Sequence, residues 1–450
     1  MTERYDLIVL GAGSAGLATA FRAASLGARV ALLDPAAALG GTCVNRGCVP
    51  KKALWFSAQL AEAQKLAVEF GFESTPGTLD WPRFCKLRTQ YIDGIHQRYA
   101  GRLQEKNIEV IQQAGNFLTA QTIALTDGRQ LRSSHIVIAT GARPKKLQLP
   151  GFELGLVSDD MFTLPALPGR IAIVGGGYVA VEFASMLRAL GVEVDVLAVE
   201  RLLKAFDSDV VDRLTQNLRA QGVRIDQHSA IRGVRRTPEG LVLDDEKSAP
   251  RGPFDAVLWA VGRVPNSEHL GLDVVGVATD ARGHITTDDA QATSVPGIYA
   301  VGDVTAGRAL TPVAVAAGRR LADRLFSGLP SAPAVPEENI PSVVFTDPPL
   351  ATVGLTEKQA RERHGAAVTV HQRLFTPLPL ALIDRHQQSL MKLICLGDDE
   401  RIIGIHLVGM GAEEIMQGFS VAMNLGLRKG DLDASIAIHP TAAEELLSME

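Results

Sequence analysis

The chain of 450 residues has only four cysteines, Cys43, Cys48, Cys85 and Cys395, together with three tryptophans and five tyrosines. Four thiols are too few for the cross-linked scaffold of a small secreted protein. Cys85 and Cys395 stand alone, without the spacing of metal ligands, so no metal site is expected. Basic excess is also missing: 45 Lys and Arg face 50 Asp and Glu, a net charge of -5. Nucleic acid and anionic membrane surfaces are therefore not expected partners. No apolar run is long enough to span a bilayer. The run from Leu7 to Ala20 follows Glu3, Arg4 and Asp6 instead of a basic segment and is stopped by Arg22, short of the ~20 residues a membrane helix needs. The expectation is a cytoplasmic protein without a targeting segment.

Apolar material and glycine are plentiful. With 46% hydrophobic and 21% charged residues, the chain has enough to bury several cores, about three domains at ~150 residues each. Glycine numbers 43, above the ~7% average, and directs attention to tight turns and close backbone approaches. One such turn follows the apolar run ending at Leu10: Gly11-Ala-Gly-Ser-Ala-Gly16, then an amphipathic pattern from Leu17 to Gly27 and a second apolar run from Arg29 to Leu33. Strand, glycine turn, helix, strand returns as Arg170 to Val174, Gly175-Gly-Gly-Tyr-Val-Ala180, a helix to Leu190 and a strand from Val192 to Leu197. Further β-like runs end at Gly141, Gly262 and Asp303. The predicted class is α/β, with two Rossmann-like nucleotide-binding domains, the second (142–265) inserted in the first (1–141 and 266–336). The proline-rich stretch Gly328 to Pro336 reads as a linker. Beyond it, runs at Ser342 to Phe345, Val368 to Leu374, Leu390 to Cys395 and Ile402 to Val408 alternate with helical patterns, one opened by the capping box Thr356-Glu-Lys-Gln359. A C-terminal α+β domain over 337–450 is expected.

In the first loop Gly11 suits the turn, Gly13 lets backbone approach a pyrophosphate and Gly16 allows close helix packing, while Asp34 ends the next strand where a carboxylate accepts ribose hydroxyls. The second loop has Ala180 in place of a third glycine and no acid at its strand end. Arg201 and Lys204 follow instead and suit a 2′-phosphate, which favours NADPH over NADH. The sharpest motif is Cys43-Val-Asn-Arg-Gly-Cys48. Two cysteines five apart point away from each other on a regular helix, so bonding their sulfurs needs an irregular turn, which Gly47 permits. Pro50 is expected at the first helical position, with Cys48 just before the helix start, where the dipole stabilises a thiolate and Arg46 adds positive charge. Near the C-terminus, His439-Pro-Thr-Ala-Ala-Glu444 offers an imidazole and a carboxylate able to protonate a departing thiolate.

These segments resemble the disulfide-reductase flavoenzymes, class I of the pyridine nucleotide-disulfide oxidoreductases. The likeness is carried by Gly40 to Lys52, Gly175 to Glu182, Gly297 to Asp303, Leu310 to Arg319 and His439 to Glu445, and it covers essentially the whole chain. The resemblance implies FAD on the first loop and NADPH on the second. Cofactor contacts are implied at Gly11, Gly13, Ser14, Ala15, Gly16, Asp34, Gly41, Thr42, Lys51, Thr140, Gly141, Asp303, Leu310 and Thr311, and at Gly175, Gly177, Tyr178, Val179, Ala180, Glu182, Arg201, Lys204, Gly262 and Arg263. It further implies that Lys51 pairs with Glu182 beside the flavin, that Tyr178 covers the nicotinamide site, and that Cys43 and Cys48 form the redox disulfide. Cys48 would face the flavin and Cys43 attack the substrate. His439 and Glu444 would be contributed by the partner in a homodimer built on the C-terminal domain.

The paired lysines after Cys48 point to the glutathione and trypanothione branch of that family. Glutathione disulfide carries four carboxylates against two amines, whereas trypanothione is a polyamine conjugate, so the two demand pockets of opposite charge. Ala18, Phe21 and Arg22 share one face of the first helix, and with Tyr99 and Arg319 they form the expected substrate contacts, favouring glutathione disulfide. Phe21 stands where the family usually has an arginine. Val199 stands at one of its phosphate-binding positions, and Arg46 and Leu378-Pro379 also depart from its pattern. A reductase of a trypanothione-like or lipoamide-type disulfide, and a non-catalytic flavoprotein sensor, are the competing readings.

Overall fold

The computed structural model describes residues 2–329, 336–385 and 387–449. Most of the expected linker, residues 330–335, lies outside the described residues. The chain divides into two compact units, one of Met1–Lys51, Pro82–Lys145 and Gly262–Ala334, the other of Lys52–Trp81, Lys146–Val261 and Val335–Glu450.

The first unit is organised by a five-stranded parallel sheet in the order Ile298–Ala300, Ile136–Ile138, Leu7–Leu10, Val30–Leu33, Glu109–Ile111. Leu7, Ile8, Val9 and Leu10 are all buried, because both faces of the sheet are covered and the strand need not alternate with polar residues. Side chains still alternate in direction. Ile8 and Leu10 pack with Phe117, Ile123 and Leu131 of a four-stranded sheet on one face. Leu7 and Val9 pack on the other with Leu17, Ala20 and Leu321 of the helices Ser14–Ser25 and Thr311–Phe326. This sandwich fixes where the first glycine loop ends and its helix begins.

The second unit contains a parallel sheet of like construction, in the order Leu156–Val157, Ala256–Trp259, Arg170–Val174, Glu193–Leu197, Arg224–Asp226. The helix Tyr178–Ala189 follows its glycine loop. An antiparallel sheet in the order Ser342–Val344, Leu350–Gly354, Arg401–Val408, Ser389–Leu396, Val368–Phe375 forms the C-terminal part. Four of its strands agree with the sequence reading to within a residue or two. The central Leu350–Gly354 was not read: it is five residues long and almost wholly buried, so it shows no alternation that a two-residue period would reveal. The capping box is present, with the Thr356 hydroxyl accepting from Gln359 N (3.2 Å) and Gln359 Oε1 accepting from Thr356 N (3.0 Å).

A buried charge cluster ties this sheet to the helix Ser208–Ala220. Lys392, fully buried on strand Ser389–Leu396, reaches Asp207 (3.0 Å), Asp209 (2.7 Å) and Glu357 (2.6 Å). Asp207 is itself 1% exposed and caps the helix, accepting from Asp209 N, while its other oxygen accepts from Glu357 N. Burial alone would lower the Lys392 pKa, but its hydrogen bonds to Asp209 and Glu357 outweigh it and hold the pKa above the ordinary lysine value. Lys392→Met keeps the volume and strands the Asp207 carboxylate, so it should destabilise the protein by about 3–5 kcal/mol, read as a fall in the denaturant midpoint. A loss below about 1 kcal/mol, the scale of an ordinary hydrogen bond, would refute the role given to this cluster.

Candidate active site

The motif Cys43 to Cys48 folds as two helices. Gly41–Arg46 ends at Gly47, whose φ of -144° and ψ of -116° depart from helical values, and Cys48–Glu69 begins immediately after. The break permits what a continuous helix would not: the Cys43 thiol donates a hydrogen bond to the Cys48 sulfur. Both residues are free thiols here, Cys43 half-buried and Cys48 exposed. Cys48 is lowered to a pKa of about 6, first by that hydrogen bond, then by a hydrogen bond from Thr311, whose Oγ1 lies 3.5 Å from Sγ, and by the charge of Lys51. Cys43 is pushed far above the ordinary thiol range, because losing its proton would break the bond and set two negative sulfurs side by side.

Two details differ from the sequence reading. The second helix starts at Cys48 itself, two residues earlier than Pro50 suggested; proline is tolerated in a first turn, where the missing N–H has no helical partner. The charge of Lys51, one turn further along, acts on Cys48, where the sequence reading had named only Arg46. Thr311, expected only as a cofactor contact, sits against the same sulfur. Its separation of 263 residues from Cys48 left no local signal of that contact.

The two glycine loops, one in each unit, fit a dinucleotide. Gly11 has φ +105°, and a Cβ there would lie 2.4 Å from the Ala139 carbonyl oxygen; Gly175 in the second loop has φ +134°, with the Ala260 carbonyl at 2.2 Å. The two turns are equivalent, each tucked against the strand that follows its unit. Helices Ser14–Ser25 and Tyr178–Ala189 both start after a glycine, lack a side-chain cap and carry no acid in the first turn. Each leaves its N–H donors and dipole for an anion. Asp34 is held by Ala12 N (2.7 Å) and Ala36 N (2.9 Å). Thr140 and Asn266 exchange hydrogen bonds of 2.6 and 2.8 Å next to Gly141. Arg263 donates to the Ala142 carbonyl (2.5 Å), lies 3.5 Å from the Thr42 hydroxyl and exerts its charge on Asp303, whose pKa burial raises. Gly262 and Arg263 thus belong to the first unit, beside Thr42 and Asp303, and Leu310 leads into the Thr311 helix.

In the second unit Val179 and Ala180 enter the helix behind Tyr178, whose ring is 47% exposed, and Glu182 is 3% exposed and accepts from Phe345 N (2.8 Å). Arg201 is engaged with Asp212 (2.8 Å) and Lys204 with Glu200 (2.7 Å). The cations expected to meet a 2′-phosphate therefore already have carboxylate partners, Glu200 from the strand-end segment itself and Asp212 from the following helix. Ala18 is half-buried, and Phe21 is 6% exposed, packed in the core toward Tyr99 instead of presenting its face to solvent. Arg22 pairs with Asp323 at 2.5 Å, and Arg319 is exposed on the Thr311 helix. His439 Nδ1 lies 2.9 Å from Glu444, whose other oxygen accepts from Thr441 N (3.0 Å). The carboxylate thereby orients the exposed imidazole and leaves Nε2 for proton exchange, and the neighbouring imidazole lowers the Glu444 pKa.

Residues 5–318 match the pyridine nucleotide-disulphide oxidoreductase family and residues 340–449 its dimerisation domain. The chain belongs to that family. This oxidoreductase is 38% identical over 461 residues to the glutathione reductase of Schizosaccharomyces pombe, covering 100% of this chain and 99% of the relative. It is 36% identical over 472 residues to that of Yarrowia lipolytica, covering 99% and 98%. Among the described residues of the oxidoreductase no helix is long and apolar enough to cross a membrane. Because the Cys48 pKa is lowered, its thiolate should be present above about pH 6 and be lost as pH falls through that value. Ultraviolet thiolate absorbance of the reduced protein should titrate accordingly, and Cys43→Ser should move the midpoint upward by weakening the largest stabilising influence. A midpoint near the free-thiol value of ~8.5 in the unaltered protein would contradict this electrostatic account.

Proposed function

We propose that this chain reduces glutathione disulfide with NADPH and carries FAD. The observation that supports this most is the unequal pair of thiols at the start of a helix, one poised as a thiolate and one held as a thiol beside the first nucleotide loop. Bound FAD supplies the two-electron relay between nicotinamide and protein disulfide. The chain holds it through the glycine loop, Asp34, Asp303 and the start of the Thr311 helix, with Lys51 placing an ammonium near its ring. Glu182 and Tyr178 serve the nicotinamide end. The Cys43 sulfur attacks one sulfur of glutathione disulfide as His439, oriented by Glu444, takes its proton and returns it to the departing glutathione thiolate. The Cys48 thiolate then attacks the Cys43 sulfur, expels the second glutathione and restores the Cys43–Cys48 disulfide. Each turnover consumes one NADPH and one proton and yields two glutathiones.

The exposed Arg319 suits the carboxylates of glutathione disulfide, and Ala18 adds no acid that would favour a polyamine conjugate. The match of residues 340–449 to a dimerisation domain supports a homodimer in which His439 and Glu444 serve the partner's thiols. The division into 1–141, 142–265, 266–336 and 337–450 follows from the same reading, except that 142–145 and 262–265 pack with the first unit; a reducing cytoplasm suits a protein with so few cysteines. A second reading, preference for NADH, is favoured by the Arg201–Asp212 and Lys204–Glu200 pairs. Comparing kcat/KM for the two nucleotides separates them: we expect NADPH to be preferred, and a preference for NADH selects the second reading. Cys43→Ser should retain FAD reduction by NADPH while glutathione-disulfide turnover falls to background. Substantial turnover by that variant would overturn the mechanism.

A further inference from the structure

The C-terminal sheet brings together three side chains of metal-ligating type, and we propose that they form a binding site for a borderline-soft divalent cation, Zn²⁺ being the ion their chemistry suits. An imidazole nitrogen of His371, the Cys395 sulfur and a Glu400 carboxylate oxygen all lie within 4.8 Å of one another. His371 belongs to the strand Val368–Phe375 and Cys395 to Ser389–Leu396, while Glu400 ends the turn that joins the latter to Arg401–Val408. In the sequence Cys395 stands alone. Its companions come from a neighbouring strand and a turn, so no ligand spacing marks the set.

The sheet register explains the convergence. His371 stands opposite Leu393, and Cys395 follows two residues later on the same strand. A period of two puts both side chains on one face, at a diagonal separation that an imidazole can bridge. That face is packed: Met391, Leu393 and Cys395 meet Ile402, Ile405 and Met416 in one core. Between Ile394 and Cys395 the pairing with Arg401–Val408 slips by one residue, the kind of irregularity that re-aims side chains. Glu400 has φ +47°, and its Oε1 accepts a hydrogen bond from His371 Nε2 at 2.8 Å. Exposure is graded across the set, 0% for Cys395, 15% for the His371 side chain and 35% for that of Glu400. The sulfur is the floor of the site and the carboxylate its open side, which gives a cation a way in.

Thiolate, imidazole and carboxylate are the donors that zinc takes, and three of them leave one tetrahedral position for water; Mg²⁺ and Ca²⁺, which prefer oxygen alone, are poorly served. The charges also balance. Glu400, Lys429 and Asp433 are the charged groups that act on the Cys395 sulfur. Lys429 is 4% exposed and paired with Asp433, so its cation is already offset. Two carboxylates against one ammonium leave one net negative charge. Binding exchanges the Cys395 thiol proton, released to solvent, for Zn²⁺, and the net charge falls to zero. His371 binds in its neutral form, with its proton on the ring nitrogen that the metal leaves free. The site also bears on the candidate acid. The Glu400 carbonyl accepts from Lys429 N (3.0 Å) and Ile402 N donates to the Leu427 carbonyl (2.9 Å). A cation at Glu400 therefore braces the helix Lys429–Asp433, which precedes the segment carrying His439.

The test is metal binding by the full-length protein carrying Cys43→Ser and Cys48→Ser, which removes the other closely spaced thiols as ligands and makes the result independent of the proposed reaction. Competition with a chromophoric chelator should show one Zn²⁺ bound per chain in the presence of excess Mg²⁺. Co²⁺ in its place should give the near-ultraviolet charge-transfer band of a cobalt–thiolate bond. Cys395→Ser should abolish that band. His371→Gln and Glu400→Gln should each weaken Zn²⁺ binding roughly tenfold or more, and because both positions are partly exposed, these two variants decide the matter should the Cys395 variant fail to fold. Absence of Zn²⁺ binding, a cobalt band that survives Cys395→Ser, or an affinity unmoved by both His371→Gln and Glu400→Gln overturns the site and leaves His371 and Glu400 as an ion pair beside a buried thiol.

Discussion

The hydrogen bond from the Cys43 thiol to the Cys48 sulfur is the interaction on which the remaining features converge. It requires the two residues to face each other, which a continuous helix forbids and the break at Gly47 provides. It also makes the two sulfurs chemically unequal. One proton shared by two adjacent acids must reside mainly on one of them: the Thr311 hydroxyl favours the charged form at either sulfur, and the charge of Lys51 favours it at Cys48. A pair of identical residues thereby acquires two roles without any difference in side-chain chemistry.

The scaffold serves that inequality by bringing distant segments to one place. Cys48 starts one helix and Thr311 another, and the second is fixed because it packs with the Ser14 helix over Leu7 and Val9. The sheet beneath them is apolar through its thickness, so the loops at its edge inherit rigid ends. The second parallel sheet repeats the device at Gly175, where the turn meets the Ala260 carbonyl as Gly11 meets Ala139. Two loops with the same backbone requirement, each leading into an uncapped helix free of first-turn acids, are what binding two nucleotides demands of a chain.

Much of this was legible in the sequence because it is local. Glycine turns between apolar runs, the spacing of Cys43 and Cys48, the interruption at Gly47 and the proximity of His439 to Glu444 are all confined to stretches of a few residues. The resemblance to known flavoenzymes extended that reading to residues such as Lys51, Tyr178 and Thr311 that no local pattern distinguishes. Three kinds of information were out of reach. The buried strand Leu350–Gly354 has no periodicity to detect. The start of the Cys48 helix was misplaced because proline is permitted at more than one first-turn position. The hydroxyl of Thr311 against Cys48 is a contact across 263 residues.

Charge was the least legible property, and the reason is physical. A sequence counts cations, but recognition depends on those whose fields are not already cancelled. Arg22, Arg201 and Lys204 each looked suited to an anionic ligand, and each is held by a carboxylate of the protein. Lys392 shows the limit of this effect, a lysine surrounded by three acids and wholly structural. Arg102 differs from these, its guanidinium set over the Phe21 ring. An exposed carboxylate within reach gives an arginine a fixed position at the cost of its availability; a buried ring gives position alone. That distinction separates arginines that stabilise the scaffold from arginines that can select a substrate, and it depends on side-chain contacts that become visible only when the chain is folded.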